Sequence, residues 1–288
     1  MMVEVLVHFV APALVGVLIG IASGLLGIGG GTVMVPIFRL AFGMSATMST
    51  ATSLFAIIPT SISGAISHVK GKTCIPALGI AAGLGGACMS PIGVWLAQLS
   101  PDWLVMLAAA LIIGYSAINM FKKAFKIPQA GQPATGVDAA AAASLTSSGE
   151  PAVSAPTADD SSLSRKQLLQ GAAIGLVAGL ASGYVGVGGG FIMVPLMLSI
   201  IGIPMRKASG TSLIAVMILA IPGVIEQGII GNINYLAGIA IVIGTIPGAV
   251  IGARLVTKVP ERTLRLLFGC FLIVAAVMLV LNEVGIFG

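Results

Sequence analysis

Apolar residues along this chain fall into long unbroken blocks, interrupted by short stretches of glycine, proline and polar residues. A bilayer's hydrocarbon core is about 30 Å thick, and a helix needs roughly 20 apolar residues to cross it. Eight blocks reach that length, at about 3–26, 45–67, 75–99, 103–121, 168–187, 208–229, 235–257 and 263–285. Two shorter apolar pieces, 32–42 and 191–201, each follow directly on a cluster of glycines. Between the fourth and fifth long blocks, 126–164 is rich in Ala, Ser, Pro, Gly and Thr and has almost no large apolar residues. Such a stretch cannot bury a core and reads as a flexible linker. The pattern predicts an all-α, polytopic transmembrane helix bundle in two parts, an N-terminal membrane repeat at 1–125 and a C-terminal one at 165–288.

The two parts are copies. Ala22-Ser23-Gly24 recurs as Ala181-Ser182-Gly183, Gly29-Gly30-Gly31 as Gly188-Gly189-Gly190, and Met34-Val35-Pro36 as Met193-Val194-Pro195. Thr52-Ser53-Leu54 recurs as Thr211-Ser212-Leu213, and Gly64, Gly79, Gly85, Gly93 and Pro101 recur as Gly223, Gly238, Gly244, Gly252 and Pro260. Every pair is 159 residues apart, with no gap between Ser23/Ser182 and Pro101/Pro260. Chance does not hold one register over that span.

Composition supports the membrane reading, because 8% charged residues cannot clothe a soluble surface, where about 25% is usual. Charge then bears on how the copies are oriented. Eight simple crossings would place the 14 Lys and Arg residues seven on each side, against the rule that cytoplasmic loops hold the excess. If the first helix of each copy and its short follower form a hairpin, the copies become inverted. Thirteen basic residues then share one face and only Arg39 lies on the other. The expected architecture is thus two inverted repeats, each a glycine-broken hairpin plus three long helices, in the cytoplasmic (inner) membrane. The linker would be cytoplasmic and both termini external. No Lys or Arg precedes the first apolar block, so that segment is expected to be retained as a helix rather than removed as a leader. The three cysteines, Cys74, Cys88 and Cys270, lie far apart in apolar runs and read as small buried hydrophobes. With aromatic residues at 5% and no interleaved basic stripe, nucleic acid is not an expected partner.

Candidate chemistry centres on Gly27-Ile28-Gly29-Gly30-Gly31 and Gly186-Val187-Gly188-Gly189-Gly190. Glycine costs up to ~1 kcal/mol in a helix interior and admits positive φ, so each run breaks its helix. Inside a bilayer a broken backbone is tolerated only against buried protein or a water-filled cavity. In inverted-repeat transporters such breaks form the substrate site, with half-helix N-termini aimed at anionic groups. The expected site is therefore Gly29, Gly30, Gly31 and Thr32 with Gly188, Gly189, Gly190 and Phe191, joined by the repeated hydroxyl pairs Thr52-Ser53 and Thr211-Ser212. A lone membrane hydroxyl usually bonds back to the preceding turn; recurrence at matched positions is what singles these out. By contrast, Gly16, Gly20 and Gly24, with Gly175, Gly179 and Gly183, have the four-residue spacing of a helix-packing ridge. No Lys-Ser/Thr follows either glycine run, which excludes a nucleotide loop. Glu226 is either a proton-coupling carboxylate or a solvated helix-end residue. No catalytic set or His/Cys metal cluster is visible, so neither enzyme activity nor a cofactor or metal is expected.

The duplicated A-S-G-x-x-G-x-G-G-G-x-x-M-V-P stretch, at 22–36 and 181–195, together with the downstream Thr-Ser-Leu triplets, resembles the TauE/SafE family of membrane permeases over nearly the whole chain outside the linker. The resemblance implies transport of sulfur-containing anions such as sulfite, sulfoacetate or other organosulfonates. The expected function is a secondary transporter of a small anion by alternating access, driven by a proton or sodium gradient since no ATP-binding motif is present. A passive anion channel is the other possibility. The inverted arrangement makes a direct prediction. A cysteine replacing Ser147, with the three native cysteines removed, should react with a membrane-impermeant maleimide only after the cytoplasmic side is opened. Labelling of intact cells would overturn it.

Overall fold

The computed structural model describes residues 11–125 and 164–283, and every regular element among these is a helix. In the first repeat α1 spans Ala11–Leu26, α2 Gly31–Phe42, α3 Ala46–Lys70, α4 Pro76–Leu99 and α5 Asp102–Phe125. In the second, α6 spans Arg165–Val185, α7 Gly190–Leu196, α8 Met205–Ile230, α9 Tyr235–Leu255 and α10 Glu261–Glu283. Each of the ten apolar pieces of the sequence has its helix. Seven of these helices are long and apolar enough to cross a membrane, so this is a multi-pass membrane protein. The start of the first block and nearly all of the linker lie outside the described residues.

Boundaries move where local chemistry dictates. α6 begins at Arg165 because Ser164 caps it, its hydroxyl accepting from the helix's first turn while Gln167 reaches back to the Ser164 N–H. α3 starts at a second serine cap, Ser45, whose Oγ accepts from Met48 N at 3.3 Å. α7 is not a uniform helix, since Met197–Ile201 continues it as a π-turn. Pro195 cannot donate to the carbonyl four residues back, and Ser199 Oγ donates to the Pro195 carbonyl at 2.6 Å. Of the cysteines only Cys74 is buried; Cys88 and Cys270 are exposed on membrane-length helices, where lipid takes the place of protein as the apolar surround.

The repeats interlock. α1 packs along α9 of the other repeat, and α6 packs along α4. Both seams are made of glycine. A Cβ at Gly16, Gly20 or Gly24 would sit 2.5, 2.4 or 2.1 Å from the carbonyl oxygens of Ile241, Thr245 and Ala249. One at Gly175, Gly179 or Gly183 would sit 1.9, 2.1 or 2.1 Å from those of Ala82, Gly86 and Ser90. The ridge expected from four-residue spacing is thus a backbone-to-backbone contact that no side chain can enter. In each seam residue numbers rise together, so the paired helices run parallel. α3 and α8, the equivalent central helices, meet in the opposite order: Leu54 lies against Gly223, Gly64 against Leu213 and His68 against Gly210. α5 and α10 pair at the side. These directions bring the helix ends carrying Lys70, Lys122, Arg165, Lys166, Arg206, Lys207, Arg254 and Arg262 to one end of the bundle.

Replacing Gly20 or Gly179 by valine should separate a seam, costing about 1–3 kcal/mol or more through overpacking. The check is the thermal-unfolding midpoint in detergent. Gly114→Ala is the control, because a Cβ there meets nothing within 4 Å.

Candidate functional site

Both glycine runs break their helices in the same way. Gly27, Gly29 and Gly30 have φ of 76°, 83° and 84°, and Gly186, Gly188 and Gly189 have 73°, 88° and 67°. Only glycine takes these values without strain, so the 159-residue register extends to backbone conformation. Gly31 and Gly190 start the short helices α2 and α7 from left-handed caps at Gly30 and Gly189.

The breaks cross each other midway along α3 and α8. A Cβ on Gly31 would be 2.5 Å from the Val187 carbonyl oxygen, and one on Gly190 2.5 Å from that of Gly27. Gly29 and Gly188 both face Ile57 and Val216, on the central helices. The structure therefore brings Gly29, Gly30, Gly31 and Thr32 together with Gly188, Gly189, Gly190 and Phe191, and every one of them is buried. The first N–H groups of α2 have no partner within their own helix and carry its positive dipole end to the crossing.

The four hydroxyls of the Thr-Ser pairs do different things. Thr52 Oγ1 accepts from Asn234 N at 3.0 Å, and Thr211 Oγ1 accepts from Ile75 N at 2.9 Å. These threonines bind the residues just before α9 and α4, and their oxygens are engaged there. Ser212 donates to the Gly27 carbonyl at 2.7 Å, holding the first break closed. Ser53, its counterpart, is buried with no hydrogen-bond partner.

The Thr32 hydroxyl, expected at the site, is likewise buried and unpartnered. Sequence reasoning missed three others, since the hydroxyls of Ser23, Ser61 and Ser182 are also buried without a partner. Ser61 Oγ is 3.5 Å from where a Gly29 Cβ would be, Ser23 Cβ 3.6 Å from that of Gly30, and Ser182 Cβ 3.4 Å from that of Gly189. Ser23 and Ser182 had a visible signal, their recurrence inside the Ala-Ser-Gly triplets. Ser61 had none, since Ala220 stands at its equivalent position. A buried hydroxyl without a partner forfeits about 1–3 kcal/mol. Beside the broken backbone they set several hydroxyl donors and acceptors that no protein group engages.

Two further buried polar groups lie toward the ends of the central helices. His68 Nε2 lies 2.8 Å from the Gly24 carbonyl and Nδ1 2.7 Å from Thr73 Oγ1. A carbonyl only accepts, so Nε2 carries a proton and ties α3 to the last turn of α1. Gln227, the counterpart of His68, accepts from Asn232 Nδ2 at 2.8 Å. Glu226 is half-buried and its Oε2 has no hydrogen-bond partner. No group of three His, Cys, Asp or Glu among the described residues is placed to hold a metal.

Duplicated, interlocked membrane helices with paired broken helices at the centre define a polytopic protein of the transporter class. The model of the sulfite exporter TauE/SafE family matches residues 12–279, and the chain belongs to that family. It is 28% identical to "Probable membrane transporter protein YunE" of Bacillus subtilis, over 97% of this chain and 99% of that one. It is 26% identical to YdhB of the same organism, over 88% and 92%, and 28% identical to a "Probable membrane transporter protein" of Haemophilus influenzae, over 93% and 97%. No solved structure matches.

The engaged and the unengaged hydroxyls should separate by mutation. Thr211→Val leaves the Ile75 N–H without its acceptor and should cost about 1–3 kcal/mol of stability, seen as a lower unfolding midpoint. Ser61→Ala removes a hydroxyl that bonds nothing, so the midpoint should hold or rise while anion binding, measured by calorimetry, weakens.

Proposed function

We propose that this chain is a secondary transporter of small sulfur-containing anions, sulfite or an organosulfonate, across the cytoplasmic membrane by alternating access between two inverted repeats. The observation that carries the reading is the crossing of the two glycine breaks, ringed by the unpartnered hydroxyls of Ser23, Thr32, Ser61 and Ser182. A sulfur oxyanion presents several acceptor oxygens on one centre. Serine and threonine O–H groups and the free N–H groups of a helix start are donors without full charge. They match such an anion without holding it as tightly as a buried lysine or arginine would, which suits a site that must also release.

Inversion is supported by the antiparallel meeting of α3 with α8 and by the gathering of basic helix ends at one end of the bundle, which the positive-inside rule assigns to the cytoplasm. The sulfur anion is supported by the family's name. Burial of both breaks favours alternating access over a passive anion channel, whose path would stay wet. The driving gradient is of protons or sodium, coupled to the anion as one site exposes to each side in turn.

Purified protein in liposomes should move sulfite or an organosulfonate saturably and faster with substrate on the far side. Gly29→Val and Gly188→Val should abolish this. Ohmic single-channel currents would establish a channel, and a panel of sulfur oxyanions and sulfonates left unmoved would overturn the reading.

A further inference from the structure

A groove of about 620 Å³ opens sideways between the last turns of α3 and the end of α9. Its two halves differ in chemistry. Lys70, Arg254 and Thr257 stand at the end nearer the helix termini, and Ile66, Ile246 and Val250 line the part nearer the middle of the bundle. Ser63 Oγ donates to the Ile246 carbonyl at 2.7 Å and locks the two helices together at its floor. Ser67 and Thr257 likewise donate to backbone carbonyls, of Ser63 and Arg254. The donors left for a ligand are the ammonium of Lys70 and the guanidinium of Arg254, and no carboxylate lines the groove.

Across the ridge of α3 lies a second groove of about 650 Å³ that shares Ile66 and Lys70 with the first and is otherwise lined by apolar residues, among them Ile80 and Ile218. α3 thus stands between two lateral troughs, with one cation at their common rim. Lys70 and Arg254 lie at the ends of membrane-length helices, at the depth of lipid headgroups.

The duplication supplies an internal comparison. Positions 159 residues away in the other repeat carry Ile229 for Lys70, Trp95 for Arg254, Gln98 for Thr257 and Glu226 for Ser67. The same framework therefore bears two cations at one end of the bundle and a carboxylate at the other. The fold does not require the cations, and helix packing does not use their charge.

We propose that this groove binds an anionic phospholipid, its phosphate between Lys70 and Arg254, one acyl chain along Ile66 and Ile246, and the other in the neighbouring apolar trough. Paired cations at the membrane border recognise the charge of the headgroup, and the apolar half distinguishes a lipid from a free anion, which would have no use for it. The test is native mass spectrometry of the full chain in mild detergent, titrated with palmitoyl-oleoyl phosphatidylglycerol or with phosphatidylcholine of the same chains. Phosphatidylglycerol should bind on the order of thirtyfold more tightly, by the contribution expected of two surface cations, and the double variant Lys70→Gln/Arg254→Gln should erase the difference. Both side chains are exposed, so the variant should elute as folded protein. Val250→Trp, which fills the apolar half and spares the cations, should weaken both lipids. Arg165→Gln/Lys166→Gln, cations at the same end but outside the groove, should change nothing. A preference that survives the double variant, phosphatidylglycerol binding untouched by Val250→Trp, or displacement of the lipid by millimolar inorganic phosphate would each overturn the proposal.

Discussion

Everything in this molecule depends on backbone meeting backbone without side chains between. Three contacts are of that kind: the α1–α9 seam, the α4–α6 seam, and the crossing of the two breaks. At each, a Cβ on the facing glycine would fall within 2.5 Å of a carbonyl oxygen, closer than any packed side chain can come. In a bilayer the hydrophobic effect does not drive helices together, because lipid tails are as apolar as leucine. Close approach replaces it, through dispersion and short C–H···O contacts spread along the seams. The seams also hold the breaks in register, since α1 and α6 each run straight from a seam into a glycine run.

That arrangement leaves a large number of buried polar groups to satisfy, and the chain treats them in two ways. Some are closed off locally or across the repeats. Thr52 and Thr211 take the N–H groups ahead of α9 and α4, Thr60 and Thr245 pair at 2.6 Å, and His68 holds the end of α1. Others, around the crossing, stay open. Leaving hydroxyls unpaired in a dry interior is costly, so those beside the interrupted backbone support the proposed site beyond what the glycines alone do.

The two repeats share a framework and differ in what it carries. Ser212 seals the Gly27 carbonyl while Ser53 bonds nothing, and Thr32 and Ser61 are replaced by Phe191 and Ala220 at the equivalent positions of the other copy. The proposed site is thus lopsided, with more of its hydroxyls from the first repeat. The groove between α3 and α9 is lopsided as well, since the positions equivalent to its cations carry Ile229 and Trp95. A duplicated fold supplies a symmetric scaffold, and substitution at matched positions then gives its two ends different chemistry.

The sequence by itself determined the helices, their breaks and the duplication. These are local properties: block length against bilayer thickness, glycine's freedom at positive φ, and a register repeated along one chain. Four-residue glycine spacing likewise foretold the packing ridges, because it sets a bare face on a single helix. Only the tertiary structure decided that α1 seats against α9 rather than its own neighbours, that Thr52 and Thr211 are engaged by backbone, and that Ser61 and Ser182 are open beside the breaks. Partners such as Ser212 and Gly27, or Thr60 and Thr245, are 185 residues apart. No periodicity along the chain encodes whether a hydroxyl that far away will find its acceptor.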